Sequence, residues 1–118
     1  MDNLKQMEII EKMEIVKQDF KNCRSVLTAV GDETRQLIIM SLMNVGCDSL
    51  GMRVGDITVK THLSRPAVSH HLKILKDAEI INVHQVGTMN YYFLGPSSNF
   101  FLLKMLISHI EEIFAMHI

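Results

Sequence analysis

The run Leu63-Ser64-Arg65-Pro66-Ala67-Val68-Ser69-His70-His71-Leu72-Lys73-Ile74-Leu75-Lys76 constrains the fold of this chain more than any other stretch. Ser64 is suited to cap a helix, because its hydroxyl can accept a free backbone N–H of the first turn. Pro66 follows within that turn, where a missing N–H does no harm. Val68, Leu72 and Leu75 recur at helical spacing and make one apolar stripe. At about 100° per residue, Ser69, His70 and Lys73 point the other way. A helix packed on one face, with small polar groups, an imidazole and a cation on the other, is built to lie against a polar surface. The major groove of DNA admits one such helix and offers base edges to those side chains. Ordinary solvated helices carry similar faces, so the flanking segments decide.

Upstream, Asp56 to His62 reads as a short helix capped by Asp56 and closed by a tight turn at His62-Leu63-Ser64. On propensity alone its β-branched Ile57, Thr58, Val59 and Thr61 favour a strand. Downstream, Ile81 to Val86 and Met89 to Leu94 read as two strands around Val86-Gly87-Thr88. Helix, tight turn, helix and hairpin is the order of a winged helix-turn-helix.

From Leu27 to Glu112 the chain resembles the ArsR–SmtB family of bacterial winged-helix repressors. The resemblance is carried by Gly31-Asp32-Glu33-Thr34-Arg35 opening a helix, by Leu63-Ser64 with Val68-Ser69-His70-His71-Leu72-Lys73-Ile74-Leu75, and by Tyr91-Tyr92-Phe93-Leu94 closing the wing. It implies a mainly α fold with a small β-hairpin wing (α+β), a winged helix-turn-helix dimerising through its N- and C-terminal helices. On that pattern residues 1–118 form a single DNA-binding domain. Residues 1–30 make an N-terminal helical dimerisation segment, 31–94 the helix-turn-helix plus wing, and 97–118 a C-terminal dimerisation helix. The implied function is sequence-specific transcriptional regulation by a homodimeric repressor, released from a double-stranded DNA operator by an unidentified effector. Ser64, Arg65, Ala67, Ser69 and His70 match the groove-facing positions of the family, and Lys60, Lys73 and Lys76 are expected on phosphates. His71 falls in the apolar arc between Ala67, Leu75 and Ala78 and reads as a structural histidine.

Two departures stand out. His62 occupies a turn position where family members commonly have glycine. The wing tip Val86-Gly87-Thr88-Met89 has no Arg or Lys, which removes minor-groove reading by arginine.

At 118 residues the chain is long enough for one real core. Its formal net charge is −1, so no global basic signature marks nucleic-acid binding. Between Arg53 and Lys76, however, Arg53, Lys60, Arg65, Lys73 and Lys76 stand against the single Asp56. Local charge is what a phosphate-binding patch needs. No stretch reaches the length of a membrane span and the acidic start lacks the basic region of a signal peptide, so a cytoplasmic location is expected. Cys23 and Cys47 form no CxxC pair and read as small core or surface residues in a reducing compartment.

The remaining helices follow from periodicity. Residues 2 to about 22 carry Leu4, Met7, Ile10, Met13, Val16 or Lys17, and Phe20 at helical spacing. Cys23 to Val30 is expected to be helical and to end at Gly31. Asp32 then caps a helix from Glu33 to Asn44. Its Leu37, Ile38, Ile39, Met40, Leu42 and Met43 are apolar on most sides, which predicts a central position. Gly46 is the expected terminator, and Asp48 to Gly55 a loop. Gly95-Pro96-Ser97-Ser98 breaks the chain and offers a cap to a final helix from Asn99. That helix is apolar except for an arc of Lys104, Ser108, Glu111 and Glu112. So wide an apolar face calls for a second chain as cover.

Metal sensing finds little support in the residues. Where the family's thiolate site has Cys-x-Cys, this chain has Arg53-Val54-Gly55. For the zinc-type site, His109 and Glu112 match one half, but Pro96 and Ser98 stand where Asp-x-His is needed. His117 lies about 80° round the helix from His109. Two ligands do not make a tetrahedral shell, so no metal or other cofactor is expected, with His109, Glu112 and His117 as the only weak ligand candidates. A second reading of His109 is a polar group at the dimer seam partnered by Glu112. Met40, Met43, Met105 and Met116 fit either an adaptable effector pocket or flexible core filling. No glycine-rich phosphate loop, activated nucleophile or carboxylate pair is present, so the chain is expected not to be an enzyme. The rival reading is a winged-helix protein-interaction module with little or no DNA binding.

Overall fold

The computed structural model describes residues 3–45 and 50–117. Along the chain run α1 (Asn3–Asn22), α2 (Arg24–Val30), α3 (Glu33–Met43), α4 (Val54–Thr61), α5 (Arg65–Asp77), β1 (Asn82–Val86), β2 (Met89–Phe93) and α6 (Phe100–Ala115). They fall into two compact units. One contains α1 and α6, and the other spans Ser25–Asn99.

Within Ser25–Asn99 the helices are joined by satisfied ends. The last four carbonyls of a helix have no partner inside it. At the end of α2, Leu27 O accepts from Gly31 N–H at 3.0 Å. The next three carbonyls are taken by side chains of α3: Arg35 Nη2 donates to Thr28 O at 3.2 Å, Arg35 Nε to Ala29 O at 2.8 Å, and Gln36 Nε2 to Val30 O at 2.7 Å. The start of α3 is capped as expected, with Asp32 Oδ1 accepting from Arg35 N–H at 2.9 Å. Ile38, Ile39 and Leu42 of α3 are buried, but Leu37, Met40 and Met43 are exposed. The helix is therefore one-sided rather than central, and Met40 and Met43 neither fill the core nor line an enclosed pocket. Met105 is likewise 44% exposed.

α4 is helical despite its β-branched content. Its threonines bond back to their own helix, Thr58 Oγ1 to Gly55 O at 2.6 Å and Thr61 Oγ1 to Ile57 O at 2.7 Å. Ile57 is fully buried. The helix begins two residues earlier than expected. Arg53 is the N-cap, and Asp56, expected as the cap, sits at the third helical position and accepts from Arg53 N–H at 3.2 Å. Gly55 belongs to this helix and not to the preceding loop. Gly46 and Cys47 lie outside the described residues.

Before α4, Met52 makes a two-bond bridge to β2: Met52 N–H to Tyr92 O at 2.9 Å and Tyr92 N–H to Met52 O at 2.8 Å. This isolated bridge clips the lead-in of α4 to the wing. The wing itself is an antiparallel pair with Val86 opposite Met89, and its two-residue turn has Gly87 at φ 62°. Positive φ at that place is what hairpin turns of matching twist require.

α5 ends in a Schellman motif without glycine. Ile80 N–H reaches Leu75 O at 3.0 Å, Glu79 N–H reaches Lys76 O at 2.9 Å, and Glu79 sits at φ 59°. Leu75 and Ile80, both fully buried, supply the apolar contact such motifs use. Asn99 Nδ2 braces the turn by donating to Ala78 O and to Glu79 Oε2. Ser98, in the stretch expected to offer a cap to the last helix, is buried and donates to Ile80 O at 2.7 Å.

In the other unit, α1 packs against α6 along a seam of half-buried Lys5, Ile9, Lys12, Val16 and Asp19. The apolar stripe read from the sequence lies largely outside this seam. Leu4, Met7, Ile10, Met13 and Phe20 remain 48–79% exposed. Two of the polar residues find partners across the seam: Lys12 Nζ pairs with Glu112 Oε2 at 3.2 Å, and Asp19 Oδ2 meets His109 Nδ1 at 2.5 Å. On α6, Phe101, Met105, Ile107 and Phe114 are also exposed, and Leu106 is its one buried side chain. Among the described residues no helix is long and apolar enough to cross a membrane.

Candidate nucleic-acid interface

The turn between α4 and α5 is made by His62, which adopts the left-handed conformation (φ 59°) as C-cap of α4 and donates its N–H to Thr58 O. This is the position where glycine is the residue of least strain. Ser64 then caps α5, its Oγ accepting from Ala67 N–H at 3.2 Å, and Pro66 stands in the first turn. Val68, Leu72 and Leu75 are buried, which fixes the helix about its axis. Ser64, Arg65, Ser69, His70, Lys73 and Lys76 are exposed and Ala67 is half-buried. Ser69, His70 and Lys73 thus lie exposed on one side of the helix, with Ser64 and Arg65 at its start and Ala67 partly covered. Lys73 pairs with Asp77 at 2.8 Å, an exposed i,i+4 contact weak enough for a phosphate to displace. Lys60 stands apart from them, beside Leu37, Met40 and Met43 of α3.

His71 turns inward. Its Nδ1 lies 3.2 Å from Arg35 Nη1. Arginine only donates, so Nδ1 carries the lone pair and the ring is neutral with its hydrogen on Nε2. Burial depresses its pKa. Asp32 nearby works against that, while Arg35 and His70 reinforce it. The sign of the linkage follows. Below the ordinary histidine range near 6.5 the unfolded chain binds a proton that the folded chain resists. The stabilisation is complete above about pH 6.5 and is lost progressively as pH falls. Urea unfolding at about pH 5.5 and 7.5 should show lower stability at the acid value. H71N, which keeps an acceptor near the Nδ1 position without a titrating ring, should flatten that difference; an unchanged slope in H71N would refute the assignment. Asp32 acts in a separate, lower range. Its bond from Arg35 N–H holds its carboxyl below the usual carboxylate value, and stability from it disappears as pH falls through that range.

One cation was not singled out by sequence reasoning. Arg53 had been counted in the local charge but placed in a loop. It lines a polar cleft of about 330 Å³ with Val54, Gly55, Asp56, Arg65, Thr88, Met89 and Asn90. The Met52–Tyr92 bridge, which no local pattern announces, is what sets Arg53 beside the wing.

The weak metal candidates are not brought together. His109 pairs with Asp19 and not with Glu112, Glu112 pairs with Lys12, and His117 is exposed beyond the end of α6. Among the described residues no three His, Cys, Asp or Glu side chains are grouped to hold a metal ion. Cys23 is buried, and burial, aided by Asp19, pushes its thiol pKa up, away from a reactive thiolate.

Comparison with known proteins places this geometry. A family model described as "Bacterial regulatory protein, arsR family" matches residues 32–83, from the cap of α3 through α5 into β1. The transcriptional repressor SdpR of Bacillus subtilis is 41% identical over 62% of this chain and 76% of its own length. An uncharacterised HTH-type transcriptional regulator of Methanocaldococcus jannaschii is 32% identical over 81% of this chain and 99% of its own. The crystal structure of an ArsR family transcriptional regulator shares the fold with a TM-score of 0.67 at 16% identity, covering 80% of this chain and 92% of that one. With its helix-turn-helix matched by the family model and two relatives above 30% identity spanned over most of their length, the chain belongs to the ArsR family of DNA-binding transcriptional regulators.

Proposed function

We propose that the chain acts as a homodimeric repressor in the cytoplasm, laying α5 of each protomer in successive major grooves of an operator until an effector releases it. The observation that carries this reading is the two-sidedness of α5: Val68, Leu72 and Leu75 are buried while Ser69, His70 and Lys73 are exposed on the other side. Ser69 and His70 would address base edges, and Lys73 and Lys76 phosphates. The dimer is supported by apolar surface on α1 and α6. Leu4, Met7, Ile10 and Met13 on one and Phe101, Met105, Ile107 and Phe114 on the other are all more than two-fifths exposed. Large exposed apolar patches of that kind mark interfaces. A twofold dimer addresses half-sites about one helical turn apart.

The wing tip favours a second reading. It lacks a cation and exposes Val86 and Met89, a surface that a protein partner would cover. Salt dependence separates the two. A dimer that sets Arg65, Lys73 and Lys76 of each protomer on phosphates should lose affinity for a selected operator with a log–log slope of about −5. A slope near zero would reject the repressor. The double variant S69A/H70A should weaken operator binding tenfold or more while leaving binding to unrelated duplex nearly unchanged, as expected of base-edge contacts.

A further inference from the structure

The cleft between the start of α4, the start of α5 and the wing has no role in the reading above. It is lined on one side by Arg53 and Arg65 and on the other by Thr88 and Asn90 of the wing. Arg65 Nη2 lies 3.6 Å from the point that a Cβ on Gly55 would occupy, so its guanidinium folds back over the first turn of α4, beside the Arg53 cap. Neither guanidinium has an ion-pair or hydrogen-bond partner among the described residues. The one acid at the cleft, Asp56, is engaged through Oδ2 with Arg53 N–H. Two unpaired arginines converging with a hydroxyl and an amide in a polar concavity form a site for an oxyanion. Guanidinium groups match such oxygens in bidentate fashion.

We infer that this cleft holds one backbone phosphate of the bound DNA, with Arg53 supplying to the wing the cation that its tip lacks. The inference rests on the proposed DNA-binding role and adds a site to it. Arg65 belongs to the helix proposed to enter the groove, so a strand running past its N-terminus toward the wing meets the cleft directly. Thr88 Oγ1 and Asn90 Nδ2 are neutral donors, able to hold a phosphate oxygen but not to attract the strand; attraction comes from Arg53 and Arg65. Such a contact positions the protein and carries no sequence information.

The test is fluorescence anisotropy of the full chain on a selected operator and on a labelled mixed-sequence duplex, across about 50 to 200 mM salt. R53Q should reduce the salt slope by about 0.9 per protomer, about 1.8 for the dimer, which at ~0.1 M salt is an affinity loss of about eightfold per protomer and about sixtyfold for the dimer, equal on both duplexes. R53K should restore most of the slope. A scan of single neutral methylphosphonate linkages should find one position that weakens the wild type and leaves R53Q unaffected. Thermal melting of R53Q should match the wild type, because the side chain is exposed and unpartnered. An unchanged slope in R53Q beside a steep wild-type slope would overturn the phosphate site and leave DNA binding intact. Loss confined to the operator would make Arg53 a base reader and overturn it equally. A wild type with no salt dependence on either duplex would remove both this site and the DNA-binding role.

Discussion

Arg35→Leu will lower the stability of this chain by roughly 3 kcal/mol and its melting temperature by roughly 10 °C, although residue 35 touches no expected DNA contact. The reason lies in where the guanidinium sits. It is 9% exposed and, from its place on α3, makes three contacts with two other helices: Nε to Ala29 O and Nη2 to Thr28 O at the end of α2, and Nη1 to His71 of α5. A cation at the carboxyl end of α2 also meets the negative end of that helix dipole. Leucine fills the space but donates nothing. Ala29, itself fully buried, would keep a carbonyl without a donor, and hydrogen bonds to charged donors contribute about 1.5–3 kcal/mol each. Apolar burial of the leucine offsets part of the loss. Arg35→Lys should recover about half, because an ammonium can serve one carbonyl but lacks the fork that spans two. Chemical denaturation of both variants measures this directly. A cost below about 1 kcal/mol for the leucine variant would mean that water replaces the guanidinium at the end of α2 and that the helices are not tied through it.

How much of this was legible beforehand depended on how local the cause is. α5 could be read closely: its cap, its proline and its apolar stripe lie within a few residues of one another, and the structure has Ser64 bonded to Ala67 N–H and Val68, Leu72 and Leu75 buried. The inward turn of His71 was legible for the same reason. α4 was harder, since its β-branched residues favour a strand and its helix rests on two threonine back-bonds and an Arg53–Asp56 cap that a residue count alone misplaces. The seam between α1 and α6 left no signal in the sequence. Apolar residues line an edge that stays exposed, whereas Lys12 and Asp19 face α6 because Glu112 and His109, far along the chain, stand opposite. Arg53 was visible as a charge and invisible as a site, because its position depends on a backbone bridge from Met52 to Tyr92. Nonlocal pairing decided each of these misses.

That bridge carries the second large effect. Gly51→Ala is expected to cost about 3 kcal/mol and to lower DNA affinity as well. Gly51 precedes the bridge with φ 120°, a region that side-chain-bearing residues enter only with strain of about 1–3 kcal/mol. Space is lacking too. A Cβ there would stand 2.5 Å from Tyr92 O and 3.3 Å from Phe93 Cβ. Tyr92 O accepts from Met52 N–H, so the carbonyl cannot retreat without opening the bridge, and each bridge bond contributes about 1 kcal/mol. Strain and lost bonds therefore add in one place. Opening the bridge frees the lead-in of α4 from β2, and Arg53 loses its fixed position next to Thr88 and Asn90. Amide exchange should show the consequence in order: Met52 and Tyr92 lose protection first, while Leu72 and Leu75 of α5 keep theirs relative to global unfolding. At temperatures where G51A is still folded, its salt slope on DNA should fall toward that of R53Q, because both remove the same cation from the same strand, one by chemistry and the other by displacement. G51A melting with the wild type, or keeping protection at Met52, would mean that the segment before α4 relaxes around a Cβ and that the bridge does not hold the wing to the helix-turn-helix.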